Sequence, residues 1–226
     1  MKAPAIFCFL AVLSLALVPH AFAKDIPAIA SEPPTLTLIG HASVKIKTSL
    51  GSVVYIDPYH PGNYGEAADL LLISHGHSDH SKAGLVTGKE GCLTLRVEDT
   101  INKDGSYNTF EHLDIRVEPF PAYNKNHKIS QTNGFLITFD GITVYFASDT
   151  GRIPEMETLA ERRIHYALFP IDGQYNMGAA EAMDCAAVIG AEHNIPMHFF
   201  SADPARFTPE NLLFIPYGET AMLEGN

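Results

Sequence analysis

Residues Leu71 to His80 read LLISHGHSDH. An apolar run leads straight into three histidines and an aspartate, a concentration of imidazole and carboxylate that a plain surface loop does not need. His75 and His77 are separated by one residue, so in extended backbone both rings leave the same side of the chain. Asp79 and His80 follow where the chain must turn, and so face a second point in space. Neutral imidazoles beside a carboxylate suit zinc and related divalent ions, and a loop carried by a buried strand presents ligands rigidly. The stretch therefore reads as a metal site at a strand end, against the plainer alternative of a histidine-rich solvated loop.

Working outward, short runs rich in β-branched and aliphatic residues recur, with Gly, Asn and Pro between them. Thr35 to Ile39, Ser43 to Thr48, Val53 to Asp57 and Leu70 to Ser74 make up the first half. Leu93 to Val97, Leu113 to Val117, Phe135 to Phe139, Thr143 to Ala147, Ala167 to Ile171 and Leu212 to Pro216 follow. Asp140-Gly141 supplies the positive φ angles of a tight hairpin between two of them. Helical signals come late: Pro154 to Arg163 opens with Pro and acidic residues, and Gly178 to Ala191 is rich in Ala. Many strands with a few interspersed helices predict one α/β domain built on packed sheets.

The N-terminus differs in character. Lys2, an apolar run from Ala5 to Val18 and then Ala21-Phe22-Ala23 have the layout of a cleavable secretory signal over residues 1–23, too short to span a bilayer comfortably. The expectation is an exported chain, periplasmic or secreted, whose domain runs over 24–226 with no stable membrane insertion. The alternative is an uncleaved anchor. The chain has 26 acidic against 15 basic residues, a formal net charge of −11. Such a surface repels phosphate backbones at long range, which argues against a nucleic-acid partner; the partner expected is a small-molecule substrate. Cys92 and Cys185 could pair in an oxidising compartment or serve as buried small hydrophobes; neither has the spacing of a structural zinc site.

The segment His75-Gly-His-Ser-Asp-His80 resembles the H-x-H-x-D-H signature of the metallo-β-lactamase superfamily. Gly40-His41-Ala42-Ser43, Asp57-Pro58, Ser148-Asp149-Thr150 and Pro196-Met197-His198 resemble, in order and rough spacing, motifs of its branch of ascorbate-6-phosphate lactonase-like proteins. The resemblance implies a four-layer αββα sandwich with a two-metal site at the sheet edges. His75 and His77 would bind one ion, Asp79, His80 and His198 the other, and Asp149 would bridge them. The ions would be zinc first, with Mn2+ or Fe2+ as alternatives. Taken alone, His198 could be a satisfied core histidine and Asp149 a turn residue.

Where relatives place a further histidine for the first ion, this chain has Tyr123-Asn124. A neutral amide is a weak zinc ligand, so His127, three residues on in the same loop, is expected to complete that shell, with Tyr123 and Asn124 lining the pocket. The alternative leaves His127 solvated among its lysine neighbours. His41 would also line the pocket, and Asp57 would fix a ligand histidine by hydrogen bonds. His60, His112, His165 and His193 have no partner pattern and read as surface or packing residues. The expected function is a metal-dependent hydrolase that uses a metal-held hydroxide, with Asp79 as ligand and proton acceptor. Its target would be an ester, lactone, amide or phosphoester bond. The competing reading is a non-catalytic metal-binding or scaffold protein, which the departure at Asn124 keeps open.

Overall fold

The computed structural model describes residues 32–225, so the leader expected over 1–23 lies outside the described residues. Two six-stranded sheets are formed. The first contains β1 (Thr35–Gly40), β2 (Ser43–Lys47), β3 (Val53–Ile56), β4 (Ala68–Leu72), β5 (Gly88–Leu95) and β12 (Thr220–Met222). Its order is β12-β1-β2-β3-β4-β5. The second contains β6 (Phe110–His112), β7 (Ile115–Pro121), β8 (Asn133–Phe139), β9 (Ile142–Phe146), β10 (Tyr166–Pro170) and β11 (His193–Met197). Its order is β11-β10-β9-β8-β7-β6. The α-helices among the described residues are a single turn, α1 (Val97–Thr100), and α2 (Ala179–Ile189).

Period-two alternation sorts the side chains into layers. In β10, Tyr166 and Leu168 point into the core between the sheets, where they join Leu36, Val44, Val54, Leu70, Phe135 and Ile195. Ala167 and Phe169 point the other way, into an outer core closed by Ala182, Cys185 and Ile189 of α2. The small residues of α2 let it lie close on the sheet, and Gly190 ends it at φ 68°, the left-handed cap that glycine adopts without penalty. On the far side of the first sheet, Tyr55, Leu71 and Ile73 are covered by Tyr64, Ala83, Val86 and Cys92. That layer of the αββα sandwich is thin, with a 3-10 turn at Ala83–Leu85 in place of a long helix.

Parallel pairing places the site. β4 pairs parallel with β3, and β10 pairs parallel with both β9 and β11, so the residues after these strands emerge at one edge of each sheet. The carboxyl ends of parallel strands are where α/β folds bind ligands.

Three expectations need correction. Leu212 to Pro216 forms no strand; it makes one bridge from Leu212 to Asn194, and Pro216 has no N–H with which to extend a ladder. Pro154–Glu161 is a 3-10 helix, consistent with the three-residue spacing of its buried Met156 and Leu159. Cys92 and Cys185 are both free and lie against outer faces of opposite sheets, which rules out a bond between them within one chain. The Asp140-Gly141 hairpin has both residues at positive φ, 49° and 75°.

Candidate metal centre

Asp57, fully buried after β3, organises the first-sheet side. Its Oδ1 accepts the Ser74 N–H at 2.7 Å and its Oδ2 accepts the Ser74 hydroxyl at 2.5 Å. The same Oδ2 lies 2.8 Å from His80 Nδ1. The Ser74 oxygen in turn lies 2.9 Å from His75 Nδ1. Since the Ser74 proton goes to Asp57, its oxygen is free to accept from His75. The Gly40-His41-Ala42-Ser43 stretch supports this arrangement from behind: Ser43 donates to the Asp57 carbonyl at 2.7 Å and accepts the Tyr59 N–H at 3.0 Å. A Cβ at Gly40 would collide with the His60 ring.

The second sheet supplies the rest from three neighbouring strand ends. Asp149 follows β9, Asp172 follows β10 and His198 follows β11. Asp172 Oδ1 accepts the N–H groups of Gln174 and Tyr175 at 2.8 and 2.6 Å, and its Oδ2 lies 3.1 Å from His198 Nδ1, an ion-pair contact. In the loop after β7, Asn124 Oδ1 lies 3.0 Å from His127 Nδ1. The His198 N–H donates to the His41 carbonyl at 2.9 Å, joining the two sheets at this edge.

Three histidines, His75, His80 and His127, thus have Nδ1 in hydrogen-bond contact with an oxygen, and His198 Nδ1 faces Asp172 at ion-pair distance; in all four Nε2 is turned inward. Asp149 Oδ1 lies 3.4 Å from both His80 Nε2 and His198 Nε2, and its Oδ2 lies 3.3 Å from His127 Nε2 and 4.0 Å from His75 Nε2. Ligand-type atoms of His75, His77 and His127 lie within 4.8 Å of one another, as do those of His41, Asp79, His80 and His198. Five of the seven non-glycine residues with positive φ among the described residues sit here: His41, Asp57, Ser148, His198 and Phe200. Strain of this kind costs about 1–3 kcal/mol per residue and clusters at functional sites.

The charges are set by the same contacts. Burial pushes the His75 imidazole down to about 2. Burial also acts to lower His80, but Asp149 and Asp57 outweigh it and raise the ring to about 10. Burial would raise Asp149; instead His80, His198 and His75 hold it well below the usual carboxylate range. Asp172 is held at about 2 against burial by His198 and the backbone amides it accepts. The His41 ring holds Asp79 low, with Nε2 and Oδ2 3.3 Å apart.

A divalent cation fits these residues. The Nε2 atoms of His75, His80 and His198 and Oδ1 of Asp149 are buried and have no hydrogen-bond partner. A buried polar atom left so costs about 1–3 kcal/mol, and here three ring nitrogens, of which that of His80 would give up its proton to a cation, and one carboxylate oxygen face a common space.

The structure brings His75, His77, Asp79, His80, His127, Asp149 and His198 to this one centre. His41 stands deeper than a pocket-lining place: its ring lies 3.7 Å from that of His198, within the second ligand group. Asn124 is a bracket behind His127, its amide donating to the Tyr175 carbonyl at 3.1 Å. Tyr123 turns away, donating its hydroxyl to Glu155 at 3.1 Å, because successive residues of an extended chain face opposite sides. Neither Tyr123 nor Asn124 lines the cavity of about 350 Å³ over the centre; Tyr175 and Phe200 do, with Asn126. Sequence reasoning missed Asp172, although it ends an apolar strand as Asp57 and Asp149 do. Tyr175 and Phe200 carried no signal, being single aromatics in irregular loops.

Two packed sheets with this centre at the strand ends define a metallohydrolase-type architecture. The chain belongs to the metallo-β-lactamase superfamily: residues 35–198 match the model of the Beta-lactamase superfamily domain. A UPF0173 metal-dependent hydrolase of Methanospirillum hungatei is 33% identical over 193 residues, covering 76% of this chain and 85% of that protein. Another, of Pyrococcus furiosus, is 28% identical over 201 residues, covering 77% and 88%. Among solved structures, Igni18, a metallo hydrolase of Ignicoccus hospitalis, superposes with a TM-score of 0.70 at 22% identity, covering 86% of this chain and all of that one.

Proposed function

We propose that this chain, a metal-dependent hydrolase of the metallo-β-lactamase superfamily, cleaves an ester, lactone, amide or phosphoester bond in a small molecule. The observation that carries the reading is the set of inward, unpartnered Nε2 atoms around Asp149. His75, His77 and His127 would hold one ion, Asp79, His80 and His198 a second, with Asp149 between them; zinc is the first candidate for such a set. The ions would supply Lewis acidity toward a carbonyl or phosphoryl oxygen and acidify water.

The chain's own groups do the positioning. Asp57, Ser74, Asn124 and Asp172 fix the rings, so the centre needs little rearrangement to bind. Asp79 is half-buried at the cavity wall, where its carboxylate would face an ion and exchange a proton with substrate. The His41 contact keeps that carboxyl ionised. The lactone option rests on the resemblance of Gly40 to Ser43. Export with removal of residues 1–23 belongs to the same proposal and rests on the leader pattern alone.

Metal content of the purified protein, with hydrolysis of a panel of chromogenic esters, lactones, amides and phosphodiesters, tests the reading. Two tightly held ions and a turnover that Asp79→Ala removes are expected. No held ion would instead favour a non-catalytic protein that keeps the fold. Intact mass of protein recovered from the exporting host should correspond to a chain beginning at Lys24; a membrane-held chain beginning at Met1 would replace export with anchoring.

A further inference from the structure

Beside the centre lies a larger cavity, of about 770 Å³, that shares His77, Asn126 and His127 with the smaller one. Its wall carries Arg96, Lys103 and Lys128 against a single carboxylate, Glu98. This is the reverse of the molecule's balance, which is −11 overall. The three cations also differ from most others in the described residues. Lys45 and Lys47 share Glu66, and Arg162 lies on Glu118, whereas no side-chain nitrogen of Arg96, Lys103 or Lys128 has a carboxylate oxygen within 4.0 Å among the described residues, the Asp99 carboxylate accepting the Arg96 backbone N–H instead. An unpaired guanidinium and two ammonium groups around one hollow create a local positive potential that an acidic surface elsewhere does not cancel at short range.

The cavity is not uniformly polar. Ile73, Val97 and Ile101 give its lining an apolar share beside Arg96 and Lys103, and His75 and His77 line it as well, His77 being shared with the smaller cavity over the centre. A molecule spanning both hollows would place its reacting bond at the centre, a short apolar body along Val97 and Ile101, and its far end among the cations. We infer that the substrate is a small organic anion, bearing a carboxylate or phosphate away from the scissile bond, and that Arg96, Lys103 and Lys128 bind that group. This inference rests on the hydrolase reading for the scissile bond, but the anion site itself is a property of the cavity.

Two measurements separate the claims. In the first, glutarate and inorganic phosphate are titrated calorimetrically into the metal-free full chain and into an R96Q/K103Q/K128Q variant. The wild type is expected to bind one equivalent at low salt, more weakly as salt rises, and the variant at least about tenfold more weakly. Glutarate and phosphate together show which oxyanion is preferred. No binding by the wild type, or equal binding by both proteins, overturns the inference. In the second, the metal-loaded proteins hydrolyse matched chromogenic esters with neutral, carboxylate-bearing and phosphate-bearing acyl chains. The ratio of kcat/KM for the anionic over the neutral ester should fall at least about tenfold in the variant, chiefly through KM. Hydrolysis without an anionic preference sinks the substrate class and leaves the hydrolase standing. Anion binding without hydrolysis of any ester, lactone, amide or phosphodiester does the opposite.

Discussion

Buried histidines occur at both ends of β10, and only at one end are they arranged to suit a metal. At the carboxyl end, the Nδ1 atoms of His80, His127 and His198 face the oxygens of Asp57, Asn124 and Asp172. An acceptor facing Nδ1 favours a proton there and leaves Nε2 as the nitrogen turned inward, able to bind a cation once any proton on it is displaced. At the amino end, His165 is equally buried, but its Nδ1 accepts the Thr143 N–H at 3.0 Å. Its proton must then be on Nε2, which has no lone pair to offer. His165 Nε2 is also without a partner, so an orphaned ring nitrogen alone does not mark a ligand. What marks one is the tautomer imposed from behind, together with convergence on a shared carboxylate.

That contrast can be broken most severely at Asp149. Asp149→Ala removes the group facing His75, His80, His127 and His198, so loss of tightly held metal and a fall in turnover on the order of 10³ are expected. Wild-type metal content in that variant would show that the histidines do not need a shared carboxylate. Next comes the pair His127 and Asn124. His127→Ala should cost roughly one ion per chain, measured by elemental analysis, while Asn124→Ala should keep the stoichiometry and only weaken affinity. The same two ions held with unchanged affinity after loss of His127 would leave Asn124 or water as the ligand.

Smaller effects test the bracket itself. Asp172→Ala leaves His198 in place but frees its ring, so metal affinity should drop by about 10–100-fold in competition with a chromogenic chelator. A change of less than twofold would deny Asp172 its orienting part. Chelation of the wild type should also lower its melting temperature. At metal a hundredfold above Kd the linkage is about 2.7 kcal/mol, which is a shift of roughly 5–10 °C for a domain of this size.

How much of this was legible in the sequence follows from where each signal lies. The apolar strands were readable because residues such as Tyr166 to Phe169 serve two cores by simple alternation. The candidate ligands were readable because LLISHGHSDH packs four of them into six positions. His127 could be named because Asn124 is too weak a donor to stand alone, yet nothing in Asn124-Lys-Asn-His reveals that the amide would hold the ring from behind. Asp172 went unseen because its partner is a loop histidine from the next strand, a contact made only by parallel pairing of β10 with β11. Leu212 to Pro216 misled for a local reason: its apolar pattern looks like a strand, but Pro216 lacks the N–H that a ladder requires; at Pro154 to Arg163 the helical signal was met by a 3-10 rather than an α-helix.

The mildest test falls at the quiet end of β10. Burial lowers the His165 pKa beneath its ordinary 6.5. Glu192 and Arg163 act on it in opposite directions, and protonating Nδ1 would break its bond to the Thr143 N–H. Because the folded value lies below the unfolded one, the unfolded chain binds more protons as pH falls through 6.5, and stability declines from there toward the folded pKa. The contribution is complete above that window and lost below it. His165→Gln removes the titration, so the difference in unfolding free energy between wild type and variant should shift by about 1 kcal/mol between pH 7.5 and 5.0, the scale of one buried hydrogen bond. The metal centre titrates too, but it does so in both proteins. It lies a full strand away, about 16 Å at 3.3 Å per residue, far enough for the two effects to add. Urea unfolding of both proteins at the two pH values would decide it. Metal content should be the same in both; a variant that lost an ion would mean that the tautomer argument separating the two ends of β10 is wrong.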